Sequence, residues 1–500
     1  MNTRQEEGLV PPPSSLFSRN PLKWFRFFGP GAILASVTIG SGELIFPSRG
    51  GAMFGYNLLW IFLVISLMKW ALAYGSLRHL ILSGGHPFSR WSYIPGPRGW
   101  FPLLMFILVA PFFPVWISFI AGVLGTACTW IFGVGNLYLW ASIAILVVTF
   151  LLFMGTYDIL EKVQTLILGA MLICVIIAVL YVRPDWWAAA TGLLFPKALQ
   201  YPEWALEKFP HLRERSEWVE ILVYVSTIGG TSHNYLSYIS LSRNKKWGRS
   251  HLEIANEKQL DLAGSQKDHL SKIWLRAGLV DTTLSFVMVI IFSSCFCILG
   301  RVILQPKQLI PDGVDLLNHQ GTFLTELSPW LLPLYMVAVL MTFFGSLYGA
   351  PEMHFRVVYE YINSLPRWRN RFPLITIRRA VIAYGLGGGL IILLVSQSYP
   401  EVQLIDIVTP AGIFTGVIGC GLYCLANPWV DRRFLPPNLR MPKSLALLNI
   451  FGGLVLSLAG FRALWNYGQF SGYIIVMLAL SLCLLLTWRF PFYNNPGRTG

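Results

Sequence analysis

Apolar runs of about 20 residues dominate the chain, each long enough to cross a hydrocarbon core of roughly 30 Å as a helix. Twelve runs are legible, with approximate limits 28–54, 55–82, 101–127, 136–156, 163–182, 217–242, 277–303, 328–362, 375–398, 402–426, 444–464 and 471–490. The pattern predicts an all-α integral membrane protein of about 12 transmembrane helices. The longest polar connections, 183–216 and 243–276, are too small to hold cores of their own. The first of these mixes both charges and reads as a short amphipathic cap outside the cytoplasm. Residues 1–27 are polar and proline-rich (Pro11, Pro12, Pro13) and read as a disordered cytoplasmic tail. Residues 491–500 read as a second tail.

Two runs carry interruptions that a lipid-embedded helix tolerates poorly, because its backbone must satisfy its own hydrogen bonds. The first contains Thr38-Ile39-Gly40-Ser41-Gly42-Glu43. The sixth contains Ser226-Thr227-Ile228-Gly229-Gly230-Thr231-Ser232-His233-Asn234. Glycine costs about 1 kcal/mol relative to alanine in a helix interior. A carboxylate near mid-membrane, here Glu43, costs several more if unpaired. Glycines alone would read as helix-packing sites, as Gly385, Gly387, Gly388 and Gly389 do in the ninth run. The acid, the hydroxyls and His233 beside these glycines argue for a site. The breaks are five spans apart, and five is odd, so a second five-span unit would start on the opposite side of the membrane. This predicts a 5+5 inverted repeat of 28–182 and 217–426, with two further spans in 444–490. Secondary transporters use that plan and place substrate between the interrupted helices.

Composition fits a membrane solvent: 55% of residues are hydrophobic and 12% charged, too little charge to cover a soluble chain of 500 residues. The net charge of +14 invites a nucleic-acid reading. Its distribution argues against one, because Lys and Arg concentrate in the tails and the loops after even-numbered spans. That is the positive-inside pattern, and it predicts a multi-pass cell-membrane protein with both termini cytoplasmic, in contact with anionic lipid. No short apolar segment with a cleavage site precedes the first run, so no signal peptide is expected. The seven cysteines all fall in apolar runs and read as small buried hydrophobes. No phosphate-binding loop or nucleophile spacing is present, which argues against an enzyme and against ATP-driven transport by this chain alone. No cofactor is expected beyond a transported cation.

At the breaks the sequence resembles the NRAMP family of divalent-metal transporters. The similarity covers most of 28–426. It includes Gly29-Pro30-Gly31, Gly51-Ala52, Leu58-Leu59-Trp60, Tyr235 to Ser242, Asp281-Thr282, and Gly345-Ser346-Leu347-Tyr348-Gly349-Ala350. The resemblance implies a fold like that of the bacterial leucine transporter, with an inward N-terminus. The family's Asp-Pro-Gly-Asn break aligns with Gly40-Ser41-Gly42-Glu43, and its Met-Pro-His-Asn with Thr231-Ser232-His233-Asn234. Every side-chain metal ligand of the family has therefore changed. The soft thioether is replaced by Thr231, and Glu43 is the one carboxylate at the break. An all-oxygen set of this kind suits a hard ion such as Mg²⁺. The family's acidic pair in span three aligns with Phe119 and Gly122, which predicts weak proton coupling.

The expected ion-binding residues are Gly40, Ser41, Glu43, Gly229, Gly230, Thr231, Ser232, His233 and Asn234, with Glu43 and Thr231 as metal ligands. His233, Lys69, Glu352, His354, Arg378 and Arg379 are candidates for a proton or gating path. Lys69 has three roles open to it: pairing with an acid, snorkelling, or facing an aqueous path. Two other functions remain open. Gly40 would make room for an amino-acid-like solute on the same fold, and loss of the family ligands would suit a non-transporting sensor.

Overall fold

The computed structural model describes residues 8–154, 157–213, 216–310, 331–399, 402 and 404–489, and among these every regular element is a helix. Span one begins at Pro30, whose fixed φ suits a first helical position. The free N–H groups at this end are held by Asp281 of span seven. Its carboxylate accepts from Gly29 N at 2.8 Å and from Gly31 N at 2.9 Å, and Tyr238 Oη donates to it at 2.9 Å. The helix runs Pro30–Thr38, widens into a π turn at Ile39–Glu43, and resumes at Phe46–Phe54. Span two follows as Leu59–Ser83.

Nine helices among the described residues are long and apolar enough to cross a membrane. Of the twelve expected spans, the three outside that set are the two with breaks and 163–182, where the apolar stretch that qualifies is Gly169–Tyr181. The continuous helical run Lys443–Arg489 folds back on itself. Tyr473 Oη donates to the Phe461 carbonyl at 3.1 Å, although residues 12 apart on a straight helix stand about 18 Å apart. It therefore supplies two spans, Lys443–Asn466 and Ser471–Arg489. Large apolar side chains such as Leu146, Phe150, Ile391, Leu458 and Leu485 point outward, as lipid-facing residues should.

Two expectations about the connections meet the structure differently. The 183–216 segment is helical in part, with Trp186–Leu194 and Glu203–Lys208. Residues 8–27, expected to be disordered, are instead folded against the protein. Ser14–Phe17 and Pro21–Phe27 are short helices, Leu16 is fully buried, and Trp274 Nε1 donates to the Val10 carbonyl at 2.8 Å. Polar composition hid three apolar anchors, Leu9, Leu16 and Phe27, spaced too far apart to register as a run.

The interior holds ion pairs that hydropathy cannot reveal. Arg49 Nε lies 2.6 Å from Glu220 Oε1, joining the second half of span one to the first half of span six, and Tyr224 Oη donates to the same carboxylate. Arg78 of span two meets Asp431 of span ten at 3.1 Å. All seven cysteines are free, and five are buried, in keeping with their reading as small hydrophobes.

Candidate functional site

Span six stops and restarts because its middle needs glycine. The first half, Glu217–Thr227, ends where Ile228 turns extended. Gly229 and Gly230 then adopt φ of +71° and +97°, a region that a side chain disfavours. The second half begins at Ser232 and runs to Ser242. The first half-helix thus ends with carbonyls that lack intrahelical partners, a natural seat for positive charge.

That seat holds Lys69. Its ammonium, fully buried, donates to the carbonyls of Val225 at 2.9 Å, Ser226 at 3.2 Å, Ile228 at 2.8 Å and Gly230 at 2.7 Å. Lys69 neither snorkels nor reaches water in this conformation. It acts as a tethered cation inside a cage of backbone oxygens.

Glu43 supplies the balancing charge. Its Oε1 accepts from Gly229 N at 2.6 Å, and its Oε2 accepts from the Ser293 hydroxyl of span seven. It is fully buried and attracts Lys69 electrostatically. One carboxylate therefore ties the break of span one to the break of span six.

Thr231 caps the second half-helix. Its N–H donates to Asn234 Oδ1 at 2.9 Å, and its hydroxyl contacts Asn234 Oδ1 and His233 Nδ1, both at 2.7 Å. The two expected metal ligands, Glu43 and Thr231, are thus both engaged by protein groups here. Ser232 packs on Gly419 of span ten. The side chain of Ser41 lies outside what the structure describes.

Gly40 does not open the space expected of it. A Cβ there would stand 1.9 Å from Ser346 Oγ and 2.8 Å from the Thr342 carbonyl, so span eight fills the volume. This removes the sequence argument for a larger organic ligand. Phe119 and Gly122, which stand where the family has acids, are packed apolar positions. Phe119 stacks on Phe46 at 6.0 Å, and Leu404 lies against Gly122.

The other path candidates divide. Glu352 and Arg378 form an ion pair between spans eight and nine, with Arg378 Nε at 2.7 Å, while Arg379 points outward, exposed. His354 is buried beside His233, their ring centroids 5.6 Å apart. Sequence reading missed Ser293, Asp281 as a cap, and the Arg49–Glu220 pair. A serine in an apolar run and a single acid in the interior of a long helix, here Leu270–Leu299, do not show in the sequence which group across the bundle they bind. Arg49 and Glu220 each had a detectable signal, a charge inside an apolar run.

The fold and the site define a polytopic helical membrane protein built around two facing broken helices. Residues 31–414 match the family model for natural resistance-associated macrophage protein-like proteins, and the chain belongs to that family of multi-pass membrane transporters, which are not enzymes. A search among curated proteins finds no match. Among solved structures, the chain is similar to the Eremococcus coleocola manganese transporter in complex with an aromatic bis-isothiourea substituted compound. The TM-score is 0.67 and the identity 14%, with 98% of each chain covered. It is also similar to Mhp1, a nucleobase-cation-symport-1 family transporter in a closed conformation with bromovinylhydantoin bound. Here the TM-score is 0.51, the identity 14% and the coverage 94% of each chain. At these identities the likeness speaks for the fold.

Proposed function

We propose that this protein is a secondary transporter of a divalent cation, which binds between the breaks of spans one and six and crosses by alternating access. One observation carries the reading: four backbone carbonyls converge on a buried position that already holds a positive charge, and the buried Glu43 carboxylate is bound to Gly229 N at the same break. Family membership and the fold shared with a manganese transporter support it. In the conformation described, Lys69 holds the position. Substrate entry requires its ammonium to withdraw, because a second cation within a few ångströms would be strongly repelled at low dielectric. The donors then offered are oxygens: the four carbonyls, Glu43 and the Thr231 hydroxyl. Oxygen-only donors suit a hard ion that keeps part of its water shell, as Mg²⁺ does.

Uptake into proteoliposomes, measured for Mg²⁺ and Mn²⁺ in parallel with an internal pH dye, tests this. We expect uptake of both ions with little preference for Mn²⁺, and little internal acidification, since Phe119 and Gly122 offer no proton relay. Strong selectivity for Mn²⁺ contradicts the hard-ion site, and acidification in step with uptake contradicts weak coupling. A second reading, a non-transporting sensor, is favoured by the completeness of the Lys69 seat. The same assay separates the two, because a sensor gives binding without uptake.

Both termini are proposed to face the cytoplasm, on the strength of the Lys and Arg asymmetry. In sealed right-side-out vesicles, tags near Ser14 and Arg498 should resist external protease. Cleavage at either end reverses the assignment.

A further inference from the structure

Beyond the central break, the hydrogen bonds around Thr231 fix the state of His233. Thr231 N–H must donate to Asn234, so the Asn234 atom facing it is the oxygen Oδ1. That oxygen cannot donate, so the Thr231 hydroxyl spends its one proton on it. The hydroxyl therefore accepts from His233, and Nδ1 of His233 carries the ring proton. Its Nε2 is left with a free lone pair. This is how a protein prepares a metal-binding imidazole: one nitrogen donates to a fixed oxygen while the other is basic.

Two further donors of the right kind stand beside it on span eight (Leu331–Ser364). His354 is 1% exposed, and neither of its ring nitrogens has a hydrogen-bond partner among the described residues. Its ring lies flat on Phe113, with centroids 3.9 Å apart, and 5.6 Å from the His233 ring at 70°. Two imidazoles bound to one tetrahedral ion at about 2.0–2.1 Å place their centroids roughly 5–6 Å apart. Met353, adjacent in sequence, accepts through Sδ from Asn234 Nδ2 at 3.9 Å, which sets its thioether against the residue next to His233.

We propose that His233, His354 and Met353 form a second cation site, for a borderline or soft metal of the Zn²⁺ type, bridging span eight and the second half of span six. Two nitrogens and one sulfur select against Mg²⁺, the reverse of the oxygen-only centre. The site does not rest on the transport reading. A metal there joins two elements that meet at the break and resists their separation.

Isothermal titration of the purified full-length protein with Zn²⁺, Cd²⁺ and Mg²⁺ tests the site. One saturable Zn²⁺ or Cd²⁺ site is expected that Mg²⁺ does not compete for. His354→Phe keeps the ring on Phe113 and removes both nitrogens, and should weaken Zn²⁺ binding by at least about tenfold. Met353→Leu should weaken Cd²⁺ more than Zn²⁺, which gives an independent reading if His354→Phe fails to fold. Zn²⁺ binding should persist in Glu43→Gln. No saturable binding, unchanged affinities in both variants, or loss of Zn²⁺ binding in Glu43→Gln each overturns the proposal, the last by placing the metal at the central break. Wild-type cation uptake alongside failed Zn²⁺ titration would leave the transport reading intact.

Discussion

Lys69→Met should make the stability of this protein depend on the cations in its buffer. Methionine matches the length of lysine and lacks its charge, so the carbonyls of Val225, Ser226, Ile228 and Gly230 lose their shared donor. Glu43 loses its counter-charge in the same step. Removing one partner of a buried, hydrogen-bonded charge typically costs about 3–5 kcal/mol. In large organic cations that cannot enter the cage, unfolding should therefore occur at a much lower temperature than in the wild type. A small cation that takes the vacated seat restores stability by mass action, about 2.7 kcal/mol at 100 times its dissociation constant. Thermal unfolding in N-methylglucamine, Na⁺, K⁺ and Mg²⁺ buffers reads both effects. The wild type, whose seat is filled from within, should show far less cation dependence. Equal unfolding temperatures in all four buffers for Lys69→Met would mean that the carbonyl cage has no affinity for free ions, and the transport site must then be sought elsewhere.

Much of this was legible in the residues themselves. Runs of about 20 apolar residues mark spans because lipid imposes a length. The two breaks stood out because glycines and hydroxyls sit in mid-span beside a titratable side chain, Glu43 in one and His233 in the other. What stayed hidden were relations across the bundle. Lys69 read as an isolated charge in span two, and only the fold shows that span six presents four carbonyls to it. Gly40 read as space, yet whether a missing side chain leaves a hole depends on the neighbour, here Ser346. Ser293 could not be chosen over the other serines of apolar runs, since its significance lies in its contact with Glu43. The N-terminal tail misled for a different reason. Its anchors Leu9, Leu16 and Phe27 are sparse, and a surface segment needs only a few to dock.

Glu43→Gln should keep the fold and remove cation transport. Glutamine is nearly isosteric, and its Oε1 can still accept from Gly229 N, the 2.6 Å contact that joins the two breaks. Its amide can donate to the Ser293 oxygen, so the second contact survives with donor and acceptor exchanged. Lys69 retains its four carbonyls. The change therefore isolates charge from shape. If a divalent ion displaces Lys69 during transport, the wild-type carboxylate is the one formal negative charge tied to both breaks, and without it the ion faces only neutral dipoles. Losing a charge-assisted contact of about 2.7 kcal/mol corresponds to a hundredfold weaker site. Uptake into proteoliposomes at substrate levels below saturation should fall by about that factor, while the unfolding temperature in the absence of metal should fall less than in Lys69→Met, because Lys69 loses its counter-charge but keeps all four carbonyls. Thr231→Ala should cost less in uptake, since a neutral hydroxyl is a weaker ligand, and about 1 kcal/mol in stability through loss of the helix cap. Wild-type uptake by a well-folded Glu43→Gln protein would remove Glu43 from the transport site and reduce it to a structural tie between the broken helices.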